Sequence, residues 1–346
     1  MELSKYKNKG LSGLVNLGNT CFLNTAVQIL SHTYELNDFL NSEKYNKFDK
    51  NIDDSVILRE YDDLRKTLWN QNGKISPQKF IYHMFTIANK KDRELFTGFS
   101  QNDMPEFLLF IIDCMHNSIS RSVEVKIQGN IENDIDKVAV KCYEYLRDTY
   151  NREYSEFIDL FYGIYISEIL SKSGKKILSI KPEHYMMLDL PIPKKEKINL
   201  YDCFDSFIDY ENMEGENMWY NEKKNQNEEV KKRIIFWSFP NILMISLKRY
   251  DNSGENKITD LIDFPIENLD LSKYIKGYKA SSYKYDLYGI INHMGVVNGG
   301  HYTAFIKVAN GEWFHFNDDN LSKIKTNHLV TPMAYCLFYR KKNNVL

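Results

Sequence analysis

Apolar positions recur along this chain with two different periods, and the switches between them outline its elements. From Phe22 onward Leu23, Ala26, Val27 and Leu30 fall at helical spacing behind the turn chemistry of Gly18, Asn19 and Thr20, which predicts an amphipathic helix opening at or near Cys21. Within the charged stretch 41–75, Ile57, Tyr61, Leu64 and Leu68 mark a second helix that buries one stripe. Ser76-Pro77 reads as an N-cap and first helical residue, leading a helix from Gln78 to Ala88 that turns Phe80, Ile81, Met84 and Phe85 inward. The acidic turn before the apolar run Phe107 to Ile112 marks a capped, buried helix, and Tyr143, Leu146, Tyr150 and Tyr154 close the charged segment 117–160 with helical spacing. Residues 1–12 read as a polar lead-in of little consequence.

Strand patterns dominate the second half. Ile234 to Tyr250 is apolar and rich in β-branched and aromatic residues, as a buried strand is. Residues 302–308 and 312–317 read as two strands joined around Ala309-Asn310-Gly311. A two-residue turn at Asn310-Gly311 would pair Ala304 with Asn317 and put Asp318 on the His301 face; a three-residue loop would pair Thr303 with Asn317 and put Asn317 there.

At 346 residues, 43% of them hydrophobic, the chain can bury a substantial core, although its length leaves the domain count open. Forty-five basic against 47 acidic side chains give a net charge of −2 with no concentrated basic face, which argues against nucleic acid or an anionic membrane as partner. The five cysteines (Cys21, Cys114, Cys142, Cys203, Cys336) are scattered and odd in number, with no CxxC pair, as suits a reducing compartment. The opening residues carry no apolar signal core and the longest apolar run is too short for a bilayer, so the expectation is a soluble intracellular protein.

Two positions offer chemistry. Cys21 at a helix N-terminus would have its thiolate favoured by unpaired N–H groups and the dipole, although a small buried hydrophobe is the plainer reading of such a cysteine. Gly299 and Gly300 before His301 would let backbone approach a substrate closely. His32, His83, His116, His184 and His328 read as structural or surface residues, and His293 and His315 lack a carboxylate at the spacing a metal site needs. No GxGxxG, Walker or HExxH pattern occurs, and Ser173-Gly174-Lys175-Lys176 is a turn.

The string Gly13-Leu14-Val15-Asn16-Leu17-Gly18-Asn19-Thr20-Cys21-Phe22 closely resembles the cysteine box of the ubiquitin-specific proteases, papain-like deubiquitinases. Gln101-Asn102-Asp103-Met104-Pro105-Glu106-Phe107 is similar to their glutamine box, with Asn102 replacing a second glutamine and Pro105 unusual in the first turn. Pro240 to Tyr250 resembles their leucine-lysine-arginine strand, and Gly299-Gly300-His301-Tyr302 with Trp313-Phe314-His315-Phe316-Asn317-Asp318 their histidine box and its partner strand.

That resemblance implies an α+β, papain-like cysteine protease fold filling residues 13–346, with a helical thumb at about 13–125, fingers at about 160–240 and a palm from the remainder. It implies Cys21 as nucleophile, His301 as base, Asn317 as the residue orienting it with secondary support from Asp318, and Asn16 in the oxyanion hole. Asn317 as third member requires the three-residue loop. Gln101, Asp103, Glu106, Gly299, Gly300 and Tyr302 would meet the C-terminal tail of ubiquitin. The expected partners are ubiquitin and ubiquitinated proteins, met by a monomer in the cytoplasm, the nucleus or both. No cofactor is expected: relatives often close the fingertip with zinc on two CxxC pairs, but Leu170 to Lys175 and Asn217 to Lys224 hold no cysteine, and only His184 and Cys203 are nearby. The alternatives are a protease for another ubiquitin-like modifier, a general papain-like peptidase, or an inactive ubiquitin-binding module.

Overall fold

Helix α1 (Cys21–Ser31) is buried at every residue, because it is covered from two sides. One side meets the strands Gly299–Lys307 and Trp313–Asn317; the other meets α3 (Asp53–Asn70) and α5 (Met104–Ile119). Phe22 meets Phe107 edge to face with ring centroids 5.0 Å apart, an arrangement that adds to the roughly 1.5–3 kcal/mol of burying each large apolar side chain. The computed structural model describes residues 3–93, 102–251, 256–296 and 299–342. The α3 stripe Ile57, Tyr61, Leu64 and Leu68 is buried as its spacing predicts. Helix α4 (Gln78–Lys90) starts one residue later than expected: Pro77 occupies the cap position, its carbonyl accepting from Ile81 N–H at 3.0 Å, and Ser76 makes no cap.

Against this helical layer lies a large sheet. Its strands run, in spatial order, Asn320–Ile324, Trp313–Asn317, Gly299–Lys307, Lys284–Val296, Ala334–Lys341, Ile242–Leu247 and Met187–Leu190, with Leu269–Asp270 pairing alongside Lys284–Val296. All neighbours are antiparallel except Ile242–Leu247 with Met187–Leu190. One face joins the α1 core and the other packs on a second core that includes Phe204, Phe236, Leu337 and Tyr339.

The segment read as one buried strand from Ile234 to Tyr250 is two. Val230–Ser238 belongs to a separate four-stranded sheet with Gly163–Ser171, Ile177–Tyr185 and Glu211–Met213, while Ile242–Leu247 enters the large sheet. Pro240 explains the break, since it has no N–H to continue a ladder. Helix α6 (Asp134–Glu153) lies on this smaller sheet, but buries Ala139 and Cys142 against Ile164, Ile166 and Trp237 rather than the tyrosine stripe. Under it Arg233 Nε meets buried Glu168 at 2.6 Å.

The lead-in is not idle. Tyr6 is buried, stacks on Tyr34 at 4.6 Å and donates to Asp38, and Gln28 of α1 donates to Ser12 O at 2.7 Å. These contacts pin the chain that delivers Asn16.

In the two windows where the resemblance would put zinc-binding cysteines, Leu170 and Asn221 are buried, and Asn221 Nδ2 donates to Glu228 at 3.0 Å. His184 instead contacts Tyr145, and Cys203 lies within the second core. Among the described residues no group of three or more His, Cys, Asp or Glu is disposed to hold a metal. The smaller sheet should therefore need no zinc: a strong chelator should leave the melting temperature unchanged, and stoichiometric zinc in the purified protein would contradict this.

Candidate active site

The approach to α1 is built from backbone that few side chains tolerate. Gly18 and Asn19 have φ of 101° and 52°, and the turn they make is closed by Asn16, whose Oδ1 accepts from Gly18 N at 3.0 Å, Thr20 N at 3.2 Å and Thr20 Oγ1 at 3.3 Å. With Oδ1 committed to donors, the amide can face only one way. Nδ2 gives one N–H to Asp318 Oδ2 at 2.9 Å, and a second N–H remains on an exposed residue.

Cys21 follows one turn later and is 4% exposed. The backbone N–H groups of Tyr302, Phe22 and Cys21 favour its thiolate. Burial outweighs them: together with the Asp318 carboxylate it pushes the thiol up from its ordinary value, the reverse of the sequence expectation. The fold around the sulfur thus favours the thiol, whose proton a base would have to remove.

The candidate base, His301, is placed by the hairpin. Lys307 pairs with Trp313 and Ala304 with Phe316, and Val308 N–H bonds Glu312 O at 2.9 Å, leaving the three-residue loop Ala309-Asn310-Gly311 with Gly311 at φ 89°. Asn317 thus falls on the His301 face, with His301 Nε2 2.7 Å from Asn317 Oδ1. An amide oxygen only accepts, so Nε2 carries the proton and Nδ1 presents a lone pair.

Asp318 turns away from His301. At φ 51° it reverses the chain, accepts from Leu14 N–H through its carbonyl at 3.0 Å, and spans Asn16 and Asn24 with its carboxylate, Asn24 Nδ2 donating at 2.8 Å. Its support goes to the asparagine side of the site. Asn24 is a residue the sequence reading missed, and the available signal was an amide inside the otherwise apolar turn after Cys21.

A cleft of about 490 Å³ approaches this site, lined by Asp103, Glu106, Asp189, Asp251 and Tyr335 among others. Asp103 occupies the cap position of α5 but makes no cap bond; its Oδ1 accepts from Tyr302 at 3.1 Å and Tyr335 at 3.3 Å. Although the residue keeps exposed surface, the protein packed around its carboxyl raises its pKa, and these hydroxyls lower it only in part. A carboxyl whose pKa is raised by folding adds stability below its unfolded pKa and loses it as pH rises, so at neutral pH this charge does not help the fold. Arg249, 1% exposed, sends its guanidinium inward to the carbonyls of Ala334, Ile258 and Asp260, so it does not neutralise the cleft. Asp189 and Asp251 were not anticipated. Gln101 lies outside the described residues. Gly299 has open space where a Cβ would be, but Gly300 is required by the fold, since its Cβ would sit 2.2 Å from His293 Nε2.

Comparison with known proteins decides what this arrangement belongs to. The family model described as ubiquitin carboxyl-terminal hydrolase matches residues 12–339. This chain belongs to that family. It is 31% identical to ubiquitin carboxyl-terminal hydrolase Usp2 of Drosophila melanogaster, over 97% of this chain and 35% of the relative. It is also 31% identical to human ubiquitin carboxyl-terminal hydrolase 21, over 96% of this chain and 61% of the relative. The chain thus spans only about a third to three fifths of these two relatives. Among solved structures, the SAGA Ubp8/Sgf11/Sus1/Sgf73 DUB module bound to ubiquitin aldehyde matches with a TM-score of 0.73 and 27% identity, covering 98% of this chain and 71% of that one. The same module without ubiquitin in its description matches at 0.69, again at 27% identity, covering 98% and 70%. The fold is the papain-like α+β fold of the ubiquitin-specific hydrolases.

For this family member the buried thiol carries a direct expectation. Alkylation of Cys21 by iodoacetamide at pH 7 should be slower than that of a free cysteine and should rise toward high pH, as read by mass spectrometry of the peptide. Faster reaction than free cysteine at pH 7 would contradict a thiol resting state.

Proposed function

We propose that this chain is a deubiquitinase that hydrolyses the bond at the C-terminal glycine of ubiquitin through a thioester. The observation carrying this reading is the His301 Nε2 to Asn317 Oδ1 contact at 2.7 Å, which presents Nδ1 as a base on the strand Gly299–Lys307 that packs against the Cys21 helix. In the proposed cycle His301 takes the Cys21 proton and Sγ attacks the glycine carbonyl. The oxyanion is held by the remaining Asn16 N–H and backbone donors, and the lysine amine leaves with the proton from His301. Water, deprotonated by His301, then cleaves the thioester. The carboxylates of Asp103, Glu106, Asp189 and Asp251 outnumber Lys248 and the inward-turned Arg249 along the cleft and give it the sign that attracts a basic peptide tail. Ubiquitin is the proposed substrate because structural neighbours are described as bound to it. No described helix is long and apolar enough to cross a membrane, and we place the activity on conjugates in the cytoplasm or nucleus.

The test is to offer ubiquitin and other ubiquitin-like modifiers, each with a C-terminal electrophile. Ubiquitin should label Cys21 fastest, and Cys21→Ala should lose both labelling and turnover. Preferential labelling by another modifier would move the substrate, and labelling of a different cysteine would refute the mechanism.

The two acidic or amide neighbours of Phe316 should separate kinetically. Asn317→Ala should lower kcat by on the order of 10²–10⁴. Asp318→Ala should cost on the order of 10–10³ through Asn16, and the double variant with Asn16→Ala should be no worse than the poorer single. Additive losses would show that Asp318 acts elsewhere.

Asp103→Asn keeps an acceptor for Tyr302 and Tyr335 but removes the charge. It should raise KM by a factor corresponding to about 1.5–3 kcal/mol while the melting temperature holds or rises. An unchanged KM would return Asp103 to a purely architectural role.

A further inference from the structure

His293 has no part in the cycle above, yet it is buried one strand away from His301 and braced on every side. Its ring lies 4.6 Å from Tyr302 and 5.6 Å from Tyr335, centroid to centroid, and its Nε2 occupies the space a Cβ on Gly300 would need. Gly295, at φ 114°, closes the same end of the hairpin: a Cβ there would come within 2.6 Å of Gly300 Cα. The main chain immediately before His301 therefore rests on this imidazole.

The imidazole is in turn held by Lys257. The ammonium lies 3.0 Å from His293 Nδ1, 2.9 Å from His293 O and 3.2 Å from Gly295 O, so its three donors meet three acceptors. An ammonium cannot accept, which makes Nδ1 the acceptor and leaves the proton on Nε2. Lys257 is itself set on a firm base. Ile258 N–H bonds Arg249 O, and the buried Arg249 guanidinium ties Ile258 and Asp260 to Ala334 of the sheet.

We propose that Lys257 and His293 are a positioning pair for His301, the ammonium fastening the imidazole and the imidazole bracing the main chain of Gly300 one residue before the base. The proposal rests on the hydrolase reading, since it gives His301 its role. Around the imidazole lie Lys257 and Tyr250 from one segment, His301 and Tyr302 from the adjacent strand, Tyr335 from the next, and Asp103 behind the two tyrosine hydroxyls. Burial, then Lys257, then His301 push His293 down to about 4, so it stays neutral wherever the enzyme works. Without the ammonium, protonation would cost less, and an imidazolium would then abut Gly300, one residue before the catalytic histidine.

Lys257→Met retains the stem and removes the charge; Lys257→Gln, made in parallel, retains donors without the charge. In the wild type the His293 ring signals, followed by NMR with labelled histidine, should remain those of a neutral imidazole from pH 8 to 5.5. In both variants the His293 titration should move to higher pH than in the wild type, burial still holding it below a free imidazole, and kcat/KM on a ubiquitin C-terminal amide, relative to wild type at the same pH, should fall about tenfold by one unit below the new pKa. Adding His293→Gln to Lys257→Met, which removes the titrating group, should flatten that ratio. Titration of His293 within the range in the wild type, or a pH-independent ratio for both lysine variants, would overturn the pair. If the wild type turned over no ubiquitin substrate, the hydrolase reading would fail while the histidine spectra still decided whether Lys257 controls His293.

Discussion

The site depends on the register of one hairpin. Side chains alternate along a strand, so a slip of one residue between Gly299–Lys307 and Trp313–Asn317 would exchange Asn317 for Asp318 on the His301 face. Gly311, in the left-handed region, allows the three-residue loop that sets the register, and each of the two neighbours then serves a different half of the site. Asn317 reaches His301, while Asp318 folds back to Asn16 and Asn24. In the proposed mechanism one backbone setting thus fixes the tautomer of the base and the orientation of the oxyanion donor Asn16, 302 residues from Asp318 in the chain.

The electrostatics work against the resting enzyme and toward a bound tail. Burial raises both the Cys21 thiol and the Asp103 carboxyl, so neither charge is favoured by the fold alone. A basic peptide in the cleft would compensate the second directly. The first is compensated, in the proposed cycle, when His301 takes the proton. Arg249, which lines the same cleft, instead donates to three backbone carbonyls.

Much of this was legible in the residues. Helical periodicity locates α1 and α3, an acidic turn before an apolar run locates α5, and the Asn-Gly loop with its two possible registers can be written down from the residues. What stayed hidden has physical causes. Pro240 interrupts an apolar run that periodicity alone joins, so two strands of separate sheets looked like one. Asn24 and Lys257 act through partners about 300 and 40 residues away, which no local pattern encodes. The thiol pKa was misjudged because a helix N-terminus is visible in sequence, whereas the depth of burial that outweighs it is not. Tyr6 likewise reads as polar lead-in until Tyr34 and Trp69 are seen around it.

A crystal structure of the covalent adduct between Cys21 and ubiquitin aldehyde would test the central claim most directly. The account predicts the adduct oxygen within hydrogen-bonding distance of Asn16 Nδ2, with Asn317 still on His301 Nε2 and Asp318 still on Asn16. An adduct in which Asp318 has replaced Asn317 at His301, or in which Asn16 faces away from the adduct oxygen, would contradict it.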